Sequence, residues 1–213
     1  MMSESMPSWE TNPIHNSPQG EVGSYFDLSG VGPGEKTENY ESSWNDPKNE
    51  RFRELVNNAG PQALMVDLGG GLGSTITRMV KEKGISNPKL IMVDLDIRNL
   101  REHRDLGAYH PWVTQDAEYV QADGASLPLK DRSTDILVMN YMMADNWVNN
   151  GPKKDDIKRE ILRVLKEDGI LIVGPFDYKK LGFQNELTPA ATFYVNGRPN
   201  ELALHRTEIN INS

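Results

Sequence analysis

The stretch Asp67-Leu68-Gly69-Gly70-Gly71-Leu72-Gly73-Ser74 carries the residue types and spacing in this chain that are best suited to chemistry. Ala63 to Leu68 reads as a short buried strand, which breaks into glycine. A helix then resumes, with Ile76, Met79 and Val80 at helical spacing up to Gly84. In a strand, glycine turn and helix, the glycines let the backbone turn tightly and approach a ligand. The helix N-terminus offers N–H groups that have no intrahelical partner. The arrangement reads as a nucleotide-cofactor site; a glycine turn holding nothing is the competing interpretation. A second acid supports the site. Lys89 to Val93 forms another apolar strand that ends in Asp94-Leu95-Asp96. Asp94 lies about 20 residues beyond the turn, where a carboxylate at a strand end accepts both hydroxyls of a ribose. Asp94 is chosen over Asp96 because it follows directly on the apolar run, the alternative being two solvated turn acids.

The elements that must position these residues follow in order. A helix begins at Asp46-Pro47, places Phe52, Leu55 and Val56 on one face, and ends near Asn57 to Gly60. Residues 97 to 116 read as a weak polar helix and loop; His103 and His110 within it have no spaced metal partner, so no metal site is expected. A third strand, Glu118 to Ala122, ends at Asp123-Gly124. A fourth, Thr134 to Met139, opens into Asn140-Tyr141-Met142-Met143-Ala144-Asp145-Asn146-Trp147. The next helix carries Ile157, Ile161, Val164 and Leu165 on one face, and a fifth strand, Ile170 to Val173, gives way to Phe176-Asp177-Tyr178. A short helix is expected over Lys179 to Leu187. Two strands, Ala191 to Val195 and Glu201 to Thr207, are joined by a glycine-bearing hairpin loop from Asn196 to Asn200. Strands alternating with helices imply an α/β fold, doubly wound, with a mostly parallel sheet covered on both faces.

A chain of 213 residues with 37% hydrophobic content buries one substantial core, and a single domain is expected. The formal net charge of −8 argues against a surface built to grip phosphates, so a small-molecule substrate is favoured and no nucleic-acid partner is expected. There is no cysteine, which excludes disulfides and thiolate chemistry. No apolar run approaches the roughly 18 residues of a membrane span, and the N-terminus lacks a basic region followed by an apolar one. A soluble, cytoplasmic protein without a membrane partner is expected; nothing indicates an oligomeric state. Residues 1 to 45 are rich in Ser, Pro, Gly, Asn and Glu and read as a mobile N-terminal segment. Alternatively, they form a lid whose Tyr25, Phe26, Tyr40 and Trp44 fold over the ligand. The domain proper is expected over 46 to 213.

Spacing decides which cofactor. Gly69, Gly71 and Ser74 supply two of the three glycines of the dinucleotide pattern G-x-G-x-x-G. Asp67, Gly69, Gly71 and Gly73 instead give acidic-x-G-x-G-x-G. This resembles the first motif of class I S-adenosylmethionine-dependent methyltransferases. The run from Asp123-Gly124-Ala125-Ser126-Leu127-Pro128-Leu129 through Asp135-Ile136-Leu137-Val138 is similar to that family's stretch from the adenine-contacting acid to strand four. Its nearest subgroup is typified by ubiquinone and menaquinone biosynthesis methyltransferases. Arg159 to Gly169 is similar to the helix and turn before the family's strand five, with Glu167 where proline is common. The resemblance covers about residues 60 to 207. It implies a Rossmann-like sheet of seven strands, the last reversed to close an antiparallel C-terminal hairpin, and S-adenosylmethionine at the switch point beside strand one. It also implies that Asp123 and Gly124 hold the adenine amino group and ring edge. Asp67, Gly69, Gly70, Gly71, Gly73, Asp94, Leu95 and Asn140 complete the expected cofactor set.

The implied reaction moves a methyl group to a nucleophilic atom of a small-molecule acceptor. If that atom must lose a proton early, a base is required. Candidates near the strand ends are Asp145, Tyr141, Asp177 and Tyr178. Asn140-Tyr141-Met142-Met143 lacks the prolines of the Asn-Pro-Pro-Tyr found in amino-methylating relatives. Ala144-Asp145-Asn146-Trp147 lacks the histidine of the His-Asp-Trp common in relatives that methylate phenols. The acceptor therefore stays open, with a small metabolite as the default. The rivals are a nicotinamide oxidoreductase, an aminopropyltransferase and a catalytically silent scaffold that binds S-adenosylmethionine.

Overall fold

The structure, a computed structural model of the chain, describes residues 33–69, 75–107, 117–139 and 153–206. Seven strands form one sheet in the order β3-β2-β1-β4-β5-β7-β6. They are β1 (Leu64–Leu68), β2 (Lys89–Asp94), β3 (Ala117–Gln121), β4 (Thr134–Met139), β5 (Leu165–Val173), β6 (Leu187–Val195) and β7 (Arg198–Arg206). β1 to β5 pair in parallel, while β7 runs antiparallel to both β5 and β6, so β7 alone is reversed. The expected Rossmann-like doubly wound sheet with a closing hairpin is the fold observed. The chain leaves β1 for β2 and β3 on one side and returns to β4 on the other. The switch point therefore lies between β1 and β4.

Burial on both faces explains why the central strands read as continuous apolar runs. Met65 and Met92 point into a core layer with Phe52, Val56, Ile76 and Phe193, whereas Val66 and Val93 point into the opposite layer with Ile157, Ile161 and Leu171. The first layer is covered by α1 (Pro33–Trp44), α2 (Glu50–Asn58), α3 (Thr75–Met79, continued as a π turn over Val80–Gly84) and α4 (Ile97–Gly107); the second is covered by α5 (Lys154–Val164) and α6 (Pro175–Leu181).

Four segments differ from the sequence expectation. Trp44 is only 4% exposed and packs with Phe52 and Phe193, ring centroids 6.3 and 5.8 Å away, and Tyr40 stacks on Phe193 at 5.7 Å. Tyr40 and Trp44, two of the four aromatics assigned to a mobile or covering segment, thus lie in the packed domain, which includes α1. A Cβ at Gly84 would sit 2.5 Å from Val56 Cγ1 and 3.3 Å from Trp44 Cη2, a measure of how closely α3 docks here. Tyr25 and Phe26 lie outside the described residues.

Leu165, expected on a helix, instead opens β5. The amides of Arg132 and Ser133 take the carbonyls of Arg163 and Val164 at 2.8 and 2.9 Å, and Arg206 donates to the carbonyls of Leu162 and Leu165. With its last carbonyls satisfied from outside, the helix ends at Val164. The helix expected over Lys179 to Leu187 is α6 followed by a 3₁₀ turn over Phe183–Asn185. Pro175 starts α6, and Gly182 stops it at φ +65°, a conformation suited to glycine. β6 begins at Leu187, and Pro189 is accommodated because β6 is the sheet edge and bulges after it.

Candidate functional site

β1 ends in two residues with opposite demands. Asp67 lies in the middle of the sheet, paired in register with Met92 and Val138, and is fully buried. Such a position is costly for a carboxylate unless polar groups compensate. Gly69 follows at φ +68°, in the left-handed region that glycine enters without strain, and its amide donates to the Val93 carbonyl at 2.7 Å. The turn thereby fastens the end of β1 to the end of β2. Gly70, Gly71 and Gly73 fall outside the described residues.

The end of β2 separates the two acids that sequence placed side by side. Asp94 is 9% exposed; its Oδ1 accepts the Asp96 amide at 2.8 Å and its Oδ2 accepts Asn99 Nδ2 at 3.3 Å. Asp96 instead caps α4, accepting the Arg98 amide at 2.9 Å and pairing with the Arg98 guanidinium. That hydrogen bond holds the Asp96 carboxyl below the ordinary carboxylate range, against a smaller opposing effect of burial. Leu95, between them, is the one large apolar side chain left exposed among the described residues, at 52%. Its carbonyl accepts Gln121 Nε2 at 3.1 Å, and the Ala122 amide donates to the Asp94 carbonyl at 3.0 Å. The ends of β2 and β3 are thus tied together.

Asp123 and Gly124 follow β3. Asp123 Oδ1 accepts the Ala125 amide at 3.0 Å, and Oδ2 is paired with the Lys153 ammonium. Burial by itself would raise this carboxyl, but Lys153 and the Ala125 amide outweigh it and hold the group below the usual range. At Gly124 a Cβ would meet Leu68 Cδ1 at 3.6 Å and Ile157 Cγ1 at 3.7 Å. The turn after β3 therefore rests against the end of β1 and the face of α5.

Arg163 anchors the segment beyond that turn. From α5 it donates to the carbonyls of Leu127 and Leu129 at 3.0 and 2.8 Å, to Asp131 at 2.6 Å and to both oxygens of Glu160 at 2.8 and 2.7 Å. Glu160 in turn accepts the Leu127 amide at 2.9 Å. The guanidinium beside it holds the Glu160 carboxyl below its ordinary value. Sequence reading missed Lys153 and the Arg163–Glu160 pair as site supports. The signal available was a helix bearing charge on the face that meets the Leu127-Pro128-Leu129 turn.

The structure therefore brings Asp67, Gly69, Asp94, Leu95, Asp123 and Gly124 to one edge, at the C-terminal ends of β1, β2 and β3 beside the switch point. Open α/β sheets bind ligands there. Asp177 and Tyr178 lie in the first turn of α6, directly after β5; Asp177 is fully buried and Tyr178 half-buried against the second core layer. Asn140, Tyr141 and Asp145 are outside the described residues.

A seven-stranded sheet in this order with β7 reversed is the class I methyltransferase fold. Residues 66–173, about half of the chain, match the family described as "Methyltransferase domain", and the chain belongs to that family. S-adenosylmethionine is the methyl donor of this class. Among curated proteins the chain is similar to the ubiquinone/menaquinone biosynthesis C-methyltransferase UbiE of Vibrio cholerae. The two are 30% identical over 149 residues, which cover 68% of this chain and 54% of that protein. The namesake from Vibrio parahaemolyticus is 27% identical over 165 residues, 75% and 59% of the two chains. The chain thus spans just over half the length of these relatives. Among solved structures, a putative S-adenosylmethionine-dependent methyltransferase from Methanococcus maripaludis aligns with a TM-score of 0.51 at 15% identity, covering 84% of this chain and 94% of its own. TrmN from Thermus thermophilus aligns at 0.52 and 17% identity, covering 78% and 53%. Both likenesses bear on the fold. Among the described residues, no helix is long and apolar enough to cross a membrane.

Proposed function

We propose that the chain is an S-adenosylmethionine-dependent methyltransferase acting on a small-molecule acceptor. The observation that carries this reading is the convergence of Asp94, Leu95 and Asp123 at adjoining strand ends. The set fits an adenosine: two acids offer only acceptors, matching ribose hydroxyls and an amino group, and the exposed leucine that follows Asp94 offers an apolar platform for a ring. Asp94 would accept the ribose hydroxyls. Asp123 and Gly124 would take the amino group and ring edge. Asp67 and Gly69, with Gly70, Gly71, Gly73 and Asn140, would line the amino-acid end.

Bound there, S-adenosylmethionine supplies a methyl group activated by a positive sulfur. The chain's own task is then to fix orientation and exclude water, and alignment of this kind is worth roughly 7 to 11 kcal/mol in favourable cases. The acceptor's attacking atom forms its bond to the methyl carbon as the carbon–sulfur bond breaks, the electron pair stays on sulfur, and any acceptor proton passes to a base or to water. For that base we favour Tyr141 or Asp145 over Asp177 and Tyr178. Asp177 is fully enclosed in α6 and Tyr178 is half-buried against the core. The acidic, cysteine-free composition fits a cytoplasmic setting.

The UbiE relatives are named as C-methyltransferases of quinone biosynthesis, so an electron-rich ring carbon is the first acceptor to try. The test follows formation of S-adenosylhomocysteine on addition of acceptors, beginning with reduced quinone-ring analogues. Acceptor-dependent product formation is expected. Tight binding of S-adenosylmethionine with no turnover across carbon, oxygen and nitrogen acceptors would favour the silent scaffold instead.

A further inference from the structure

Lys153 stands immediately before α5 and pairs its ammonium with Asp123 Oδ2. The two side chains are 38% and 27% exposed. Ion pairs this open contribute about 0 to 1 kcal/mol to folding, so stability alone gives little reason for a lysine at this carboxylate. Asp123 is also the acid assigned above to the adenine amino group, and the inference rests on that assignment. Its Oδ1 is already directed by the Ala125 amide at 3.0 Å. A carboxylate offers about four lone-pair positions. With one taken by the amide and one by the ammonium, acceptor capacity remains for an incoming donor.

We propose that Lys153 is a positioning residue for the cofactor base: it fixes the Asp123 carboxylate in one orientation, so that the remaining lone pairs meet the exocyclic amino group of a 6-aminopurine. Asp123 is thereby gripped from two elements, the Ala125 amide on the turn after β3 and Lys153 on the approach to α5. This has a consequence for specificity. An ionised carboxylate directed at position 6 of the purine accepts from an amino group and repels a carbonyl oxygen. The site should therefore bind adenine and reject hypoxanthine, and Lys153 should contribute to that discrimination.

The test uses the full chain and calorimetric titration with S-adenosylhomocysteine and its inosine counterpart. The wild type is compared with Lys153→Met, Lys153→Arg, Asp123→Asn and the double variant Asp123→Asn/Lys153→Met. Losing one hydrogen bond's worth of ordering predicts that Lys153→Met weakens S-adenosylhomocysteine binding by roughly three- to ten-fold and narrows the adenine-over-hypoxanthine ratio. The melting temperature should barely move. Lys153→Arg should restore most of the affinity. In the Asp123→Asn background the lysine substitution should have no further effect, because it acts through that carboxylate. Unchanged or tighter binding by Lys153→Met, alongside a clear loss in Asp123→Asn, overturns the role of Lys153 while leaving the cofactor site standing. Additive effects in the double variant do the same. If the wild type binds neither ligand, the cofactor site and this inference fall together.

Discussion

Replacing Asp94 and Asp96 separately divides cofactor binding from helix capping. Asp94 sits 9% exposed at the end of β2, with one oxygen on the Asp96 amide and the other 3.3 Å from Asn99 Nδ2. This carboxylate is the acceptor proposed above for the ribose hydroxyls. Hydrogen bonds to a charged acceptor are each worth about 1.5 to 3 kcal/mol. Asp94→Ala should therefore weaken S-adenosylhomocysteine binding by roughly ten- to a hundred-fold. Asp96 has a different duty, since its carboxylate caps the Arg98 amide at the start of α4. Losing an N-cap costs about 0.5 to 2 kcal/mol of stability, so Asp96→Ala should lower the melting temperature and leave affinity within about two-fold. Titration calorimetry paired with thermal melts of both variants decides the matter. A larger affinity loss in Asp96→Ala than in Asp94→Ala would overturn the proposed assignment, because the ribose would then be held by the acid two residues beyond the end of β2.

Three further predictions concern the body of the domain. Trp44→Ala empties a site packed by Phe52, Phe193 and the Gly84 turn and should cost about 3 to 5 kcal/mol in chemical denaturation. Deletion through residue 45 should likewise lower the melting temperature, and an unchanged value would make α1 an appendage. The His205 imidazole is held below its ordinary value of 6.5, mainly by burial and further by Arg51. The unfolded chain therefore binds more protons than the folded one between the folded value and pH 6.5. Stability is complete above that window and falls as pH drops through it. His205→Gln should flatten the slope of unfolding free energy against pH there, and an unchanged slope would contradict the assignment.

How much was legible in the sequence depended on how local the cause was. The ends of β1 and β2 and the turn at Gly69 follow from apolar runs a few residues long, which burial on both faces of the sheet dictates. Trp44 was misplaced because a polar neighbourhood outweighed one aromatic. Its partner Phe193 comes from the far hairpin, and no local pattern announces that contact. Leu165 continued a helical repeat; only the amides of Arg132 and Ser133 and the guanidinium of Arg206 show why the helix stops one residue earlier. In the site, the acids were legible as strand-end residues, while Lys153 was not. A lysine before a helix looks like solvated charge until the fold sets it against Asp123.

The central claim, that these strand ends form an S-adenosylmethionine site, is tested most directly by titrating the purified chain with S-adenosylmethionine, S-adenosylhomocysteine and NAD in parallel. Saturable one-site binding of the first two and none of NAD is expected. Binding of NAD without binding of S-adenosylmethionine would contradict it.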